Sequence, residues 1–278
     1  MYARDRTKGD QMKNINCALI GDPVKHSLTP IIIKELAEYF NIQINYDLVA
    51  ADNSISEDAL IKTLMEYDAV NVTYPLKYRI ADIITTELTS VNLAIKEPLD
   101  NEYGFNHDGL AFWDSVRHLE FESILLVGSG ITAQRIIDAA NLDEMVVGVL
   151  ARHPDKLKEY CDLNLYQNPS DIDINYDVIV NCTSVVDELP FGNEILKVMD
   201  GVNTCIDLNY SKETEFIKSY KQYYQKIHGN QAGAKVMDGI PMVIENALRT
   251  FRILTRNKYS MCTMRSAYND LNLQRYAK

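Results

Sequence analysis

The chain has 278 residues, 46% hydrophobic and 24% charged, an ordinary balance for a folded protein long enough for two modest domains. Its formal net charge of −11 excludes broad electrostatic attraction to nucleic acid, which needs a cationic surface. Any bound anion must then be held by local donors, such as helix N-termini or isolated Lys and Arg side chains.

The five cysteines, Cys17, Cys161, Cys182, Cys205 and Cys262, are odd in number and contain no C-x-x-C pair. That argues against a disulfide framework or a metal site and fits a reducing cytoplasm. Residues 1–14 are polar and charged, with no signal-peptide core, and read as a loose tail. No run approaches the apolar length of a membrane span.

Short apolar runs then alternate with amphipathic stretches, the pattern of a mainly parallel α/β fold. A strand at Cys17–Ile20 is followed by a helix from Pro30, with Ile31, Ile32, Leu36 and Phe40 available for its buried face. Thr29 precedes that proline and suits an N-cap. Ser27 and Thr29 also place two hydroxyls at a helix start, a small-anion site in principle; for Thr29 the capping and binding readings stay open. A strand near Tyr46 to Ala50, a helix around Glu57 to Tyr67 and a strand at Ala69 to Thr73 come next.

The segment Asn71-Val-Thr73-Tyr-Pro-Leu-Lys77 is more informative. On a strand, Asn71 and Thr73 face one side and Val70 and Val72 the other. Two polar side chains then emerge at a strand's C-terminal end, where open α/β sheets bind ligands. Lys77 opens the following helix, where a cation opposes the helix dipole, so function explains it better than helix stability does. Asn106-His107-Asp108-Gly109 reads as a turn. Its carboxylate is either a solvated loop group or a proton-sharing partner for a neighbouring Lys.

A fresh βα series starts near Gly109. The strand Ser123–Val127 runs into Gly128-Ser129-Gly130-Ile131-Thr132-Ala133 and a helix carrying Ile136, Ile137 and Ala140. G-x-G-x-x-A between a strand and a helix is a dinucleotide fingerprint; the alternative is a tight turn in an unrelated α/β protein. The next strand, Met145 to Leu150, ends without a carboxylate for a ribose hydroxyl, and Arg152 follows. This favours NADP, with NAD as the alternative because Asp155 lies nearby. Strands at Tyr176 to Asn181 and Thr204 to Leu208 follow. A last helix begins near Met242, with Ile244, Ala247, Leu248 and Phe251 on one face.

In this order the motifs resemble those of the shikimate and quinate dehydrogenase family, from about Ala18 to Leu254. Ser27-Leu-Thr29-Pro30 is similar to its carboxylate-binding motif. Asn71 to Lys77 is similar to N-V-T-x-P-x-K, whose Lys is catalytic, and Asn106 to Gly109 to N-T-D-G, whose Asp partners that Lys. Asn181-Cys-Thr183-Ser184 resembles N-A-T-S, on the nicotinamide side of the cofactor, and Asp207-Leu-Asn-Tyr210 a segment whose Tyr reaches substrate. The closing motif is represented by Gly239, assigned to the cofactor, and Asn246, assigned to the substrate.

The resemblance implies Lys77 and Asp108 as catalytic pair, and Ser27 and Thr29 on the substrate carboxylate. It puts Asn71 and Asn92 on ring hydroxyls, with Thr73, Tyr210 and Asn246 completing the substrate set. The implied fold is an α/β substrate domain (15–108 plus 238–278) and a Rossmann domain (109–237), with a cleft between them. The implied reaction is NADP-dependent reduction of 3-dehydroshikimate to shikimate. The alternatives are a quinate or mixed quinate/shikimate enzyme and a low-activity ligand-binding paralogue; a monomer or homodimer is expected. Departures include Ile131 in place of a further Gly, His107 in place of Thr, Asn246 in place of Gln, and a shortened stretch around Asn92. They point to a divergent member.

Overall fold

The structure, a computed structural model, describes residues 14–271 apart from 85, 161, 211 and 230–232. Cys161 and all of the expected tail except Asn14 lie outside the described residues. The described residues fall into two compact units, one of residues 14–105 and 250–271 and the other of residues 106–249.

The first unit begins with β1 (Ile15–Gly21), α1 (Thr29–Tyr39), β2 (Ile44–Ala50), α2 (Glu57–Glu66), β3 (Ala69–Val72), α3 (Lys77–Ile83), β4 (Leu93–Leu99) and β5 (Glu102–Phe105). Its sheet has the order β2-β1-β3-β4-β5, with β2, β1 and β3 parallel and β4 and β5 antiparallel. Ile20, Val70, Val72 and Ala94 pack with Leu60 of α2 and Ile80 of α3 in one apolar cluster. As expected from the strand's alternation, Asn71 points away from that cluster.

Two local readings change. Thr29 is the first residue inside α1, not its N-cap, which is Leu28. The buried face of α1 is Pro30, Ile32, Ile33, Leu36 and Ala37, while Ile31 is 39% exposed. Ile32, Ile33, Leu36 and Ala37 share one face at i, i+3 and i+4 spacing, and Ile31 lies off it. The β4–β5 hairpin was not expected. Asp100 and Asn101 turn it with φ of 53° and 68°, the left-handed conformations that short Asx side chains tolerate.

The second unit contains α4 (Asp108–Val116), β6 (Ser123–Val127), α5 (Ile131–Asp138), β7 (Val146–Leu150), β8 (Leu163–Tyr166), β9 (Val178–Asn181), α6 (Ile195–Val198), β10 (Thr204–Asp207), α7 (Glu215–His228) and β11 (Lys235–Met237). Its sheet is β11-β10-β9-β6-β7-β8, with every pairing parallel. Counted from β6, this is the 3-2-1-4-5-6 order of a dinucleotide-binding sheet, and the strand order reverses between β6 and β9. Residues 124–127 of β6 are fully buried, as expected for a parallel strand covered on both faces. One apolar cluster joins the sheet to α4 and α5, and a second joins it to α6 and α7. The chain continues through α8 (Ile240–Leu254), where the division between units falls after Arg249, and ends in α9 (Met261–Asp270) of the first unit.

Helix α4 crosses α5 closely. A Cβ on Gly109 would lie 1.8 Å from the Arg135 carbonyl oxygen, and the Trp113 indole N–H donates to the Ile136 carbonyl at 2.9 Å. Replacing Gly109 with Ala should therefore destabilise the unit despite alanine's better helix propensity, by about 1–3 kcal/mol. A lower urea midpoint at unchanged slope would report this; an unchanged midpoint would refute the packing argument.

Candidate active site

The glycine loop leaves β6 at Gly128, whose N–H donates to the Leu150 carbonyl at 2.8 Å and whose φ is +111°. That φ favours glycine. Gly130 is the N-cap of α5, with extended backbone and no side-chain cap bond. Nothing lies within 4 Å of where its Cβ would be, so no neighbour in the fold requires a glycine there. The space suits a ligand backbone approaching the open N–H groups of α5.

Ala133 is fully buried, while Ile131 and Thr132 are half-buried in the first turn. Ser129 reaches across to the loop after β7, donating to the His153 carbonyl at 3.4 Å. Arg152 is exposed beside that contact. The residues present therefore fit a phosphorylated dinucleotide: an open backbone cradle at Gly128–Ala133 and a cation one strand away.

At the ends of β9 and β10 a buried network surrounds Asp207, which is 0% exposed. Its carboxylate accepts from Asn181 Nδ2 at 3.0 Å, Thr214 Oγ1 at 2.7 Å, the Asn209 N–H at 2.9 Å and Asn209 Nδ2 at 2.8 Å. Asn181 Oδ1 accepts from the Thr183 N–H at 3.0 Å and its hydroxyl at 2.7 Å, and Asn209 Nδ2 also donates to the Thr183 carbonyl at 2.9 Å. Asn181 thus shapes the 181–185 loop, with Ser184 exposed at its turn. The sequence reading quoted Asp207 and Asn209 only as part of the Tyr210 segment and gave them no role of their own, although a carboxylate closing an apolar strand run was a visible signal. Tyr210 follows, half-buried.

Gly239 is buried, and a Cβ there would meet the Leu208 carbonyl oxygen at 2.0 Å, so packing alone demands glycine. Beside it, Asp238 Oδ1 accepts from the Ile240 N–H at 3.0 Å at the start of α8. Burial raises the Asp238 carboxyl above the usual range, and the Asp207 charge adds to this.

Asp108 is the first residue of α4 and is buried, not a solvated turn residue. A carboxylate there is favoured by the helix dipole, and its N–H donates to Asn106 Oδ1 at 3.1 Å. Asn246 of α8 donates to Asp108 Oδ1 at 3.2 Å. One turn further along, Arg249 pairs with Asp114.

In the first unit, Ser27 Oγ accepts from the Thr29 N–H at 3.4 Å, so Ser27 carries part of the capping duty assigned to Thr29. Asn71 is held by three bonds: Tyr46 Oη donates to its Oδ1 at 2.6 Å, and its Nδ2 donates to the Asn92 carbonyl at 3.3 Å and Thr250 Oγ1 at 3.1 Å. Asn92 is buried, and its backbone continues this meeting of strands, donating to the Phe105 carbonyl at 2.9 Å and accepting from the Val72 N–H at 2.9 Å. Thr73 is half-buried just past β3. Lys77 is the first residue of α3, half-buried, with its carbonyl accepting from the Val91 N–H at 3.0 Å. The candidates thus form two sets: Ser27, Thr29, Asn71, Thr73, Lys77 and Asn92 in one unit, and Asp108, Tyr210, Asn246 and the dinucleotide residues in the other. Tyr46 and Thr250 were not foreseen, because their role depends on long-range pairing with Asn71.

A curated protein of Aquifex aeolicus described as an NADP(+) shikimate dehydrogenase is 30% identical over 257 residues, which span 84% of this chain and 89% of that protein. The chain belongs to the shikimate dehydrogenase family. A protein-family model for the shikimate dehydrogenase substrate binding domain matches residues 19–92, which include all six candidates of the first unit. A protein of the same description from Methanothrix thermoacetophila is 28% identical over 255 residues, covering 86% of this chain and 90% of its own length. The crystal structure of shikimate dehydrogenase from Aquifex aeolicus superposes with a TM-score of 0.72 at 25% identity, covering 91% of this chain and 97% of that one. Among the described residues, no group of His, Cys, Asp or Glu side chains could hold a metal ion, and no helix is long and apolar enough to cross a membrane.

The Asp207 network carries its own prediction. Asp207→Asn keeps the shape but turns one acceptor into a donor facing other donors. It should lower stability by about 2–4 kcal/mol, since each buried donor left without its acceptor costs about 1–3 kcal/mol. Chemical denaturation measures this, and a loss under about 1 kcal/mol would mean the network is dispensable.

Proposed function

We propose that this chain catalyses the reversible NADP-dependent reduction of 3-dehydroshikimate to shikimate. The observation that carries the reading is near-full-length similarity to proteins described as NADP(+) shikimate dehydrogenases, with 30% identity to one of them. The glycine loop supports it, because Gly130 is open where a dinucleotide must approach the backbone.

In this reading residues 15–108 and 238–278 form the substrate domain and residues 109–237 the Rossmann domain. Gly128 to Ala133 would hold the pyrophosphate, Arg152 the 2′-phosphate, and Asn181, Thr183, Ser184 and Gly239 the nicotinamide side. The chemistry that NADPH held there would supply is a hydride for the ketone carbon. Ser27 and Thr29 hold the substrate carboxylate through their hydroxyls. Asn71, Thr73, Asn92, Tyr210 and Asn246 orient the ring. Lys77 gives its proton to the oxygen that becomes the alcohol and stabilises charge developing there. Asp108, held by Asn246 and by the start of α4, keeps the Lys77 ammonium oriented and exchanges protons with it.

The test supplies shikimate and quinate separately, each with NADP+ and NAD+, and follows the reduced nicotinamide. Turnover of shikimate with NADP+ is expected. Turnover of quinate alone would move the substrate assignment, and no turnover in any combination would sink the enzyme reading. In the active enzyme Lys77→Ala should lower kcat by about 10²-fold or more at unchanged fold; a retained kcat would remove Lys77 from its role. Arg152→Ala should raise the KM for NADP+ about tenfold or more while leaving that for NAD+ nearly unchanged, since only NADP+ carries the phosphate to be paired. An equal rise in both would refute the phosphate contact.

A further inference from the structure

The three bonds to Asn71 determine which way its amide faces. A backbone carbonyl can only accept, so the Asn71 atom facing the Asn92 carbonyl at 3.3 Å must be the amide nitrogen. The second N–H goes to Thr250 Oγ1 at 3.1 Å. The amide oxygen then faces Tyr46, and the phenol must be the donor at 2.6 Å. Burial raises the Tyr46 phenol well above its ordinary range, with the nearby Cys17 adding to the shift, so the donor proton stays in place at physiological pH. Both Asn71 N–H groups are committed inside the unit. What Asn71, 9% exposed, has left to offer is the second lone pair of Oδ1.

An acceptor-only amide discriminates between oxygens. It binds a hydroxyl, which can donate, and repels a ketone, which presents only lone pairs. The reacting oxygen is a ketone in 3-dehydroshikimate and a hydroxyl in shikimate; the other ring hydroxyls are unchanged by the reaction. We propose that Tyr46 is a positioning residue: its hydroxyl anchors Asn71 Oδ1 in the orientation that the Asn92 carbonyl dictates, and the acceptor-only amide so held binds a non-reacting ring hydroxyl and not the oxygen that is reduced. Thr250 serves the same end by occupying the second N–H. The inference rests on the substrate reading above and specifies which part of the substrate Asn71 contacts.

The experiment is Tyr46→Phe in the full chain, assayed in both directions. The non-reacting hydroxyl is present in both substrates, so the KM for shikimate and that for 3-dehydroshikimate should rise by the same factor, about three- to tenfold for one weakened neutral hydrogen bond. The KM for NADP+ and kcat should stay within about twofold, as for lost uniform binding. A rise for shikimate alone would place Asn71 on the reacting oxygen and overturn the proposal, as would no rise in either. Thr250→Val and Thr250→Ser provide a second route should the Phe variant fail to fold. The Val variant should reproduce the rise and the Ser variant, which keeps the hydroxyl, should not; an equal effect would mean packing alone and would also overturn the proposal. Wild-type turnover in the same assay separates the two levels. If wild type is inactive, the function reading has failed, and calorimetric affinity of wild type and Tyr46→Phe for shikimate then decides the positioning claim. A threefold or greater loss upholds it at the estimated strength of such a bond, and equal affinity, or no binding by wild type, refutes it.

Discussion

In the 106–249 unit, Val127, Asn181 and Asp207 lie on one line across β6, β9 and β10, because parallel pairing puts Val127 opposite Asn181 and Asn181 opposite Asp207. Parallel strands all finish at one edge, so whatever follows them converges there without further instruction. Gly128, the Thr183 loop and the Asn209 loop are the next residues along three neighbouring strands. The same register logic acts in the first unit, where Ile20 is opposite Val72 and the Thr73 N–H donates to the Ile20 carbonyl at 3.0 Å. Each candidate set is therefore a consequence of strand register before any side chain acts.

Buried polar bonds then fix what the register brings together. Asp207 accepts four of them, one from Asn181 on β9, two from Asn209 just beyond β10 and one from Thr214, the N-cap of α7. An ionised carboxylate can only accept, and it is stable inside a fold only when its lone pairs are met. Glycines work by subtraction at the same edges. Gly109 and Gly239 are required because a carbonyl from a neighbouring segment occupies the place of a Cβ. Gly130 is different, since nothing in the fold occupies that place and packing does not require a glycine there.

The βα alternation, the glycine loop and the strands ending at Asn71 and Asn181 were legible because apolar runs and turn residues act locally. The β4–β5 hairpin was hidden, although Asp100-Asn101 carries its turn chemistry, because Lys96, Glu97 and Pro98 interrupt the apolar alternation of its first strand. Asp108 read as a loop residue because the turn-like Asn106 and His107 precede the helix it opens, whose buried apolar side chains start only at Ala111. Tyr46 and Thr250 could not be assigned from sequence at all. They are 25 and 179 positions from Asn71, and only the sheet register and the path of α8 bring them to it.

The two amides that depart most from a simple ligand role, Asn71 and Asn246, obey one rule. An amide side chain has two faces of opposite character, and it is oriented only where a neighbour is able to do one thing. The Asn92 carbonyl can only accept and turns Asn71 nitrogen inward; the Asp108 carboxylate can only accept and turns the Asn246 nitrogen toward itself at 3.2 Å. An amide N–H given to a carboxylate orients that carboxylate, so Asn246 helps to hold Asp108 Oδ1 in place. In both places the neighbour that can only accept, and not the amide, decides which end of the side chain is presented to whatever lies beyond it.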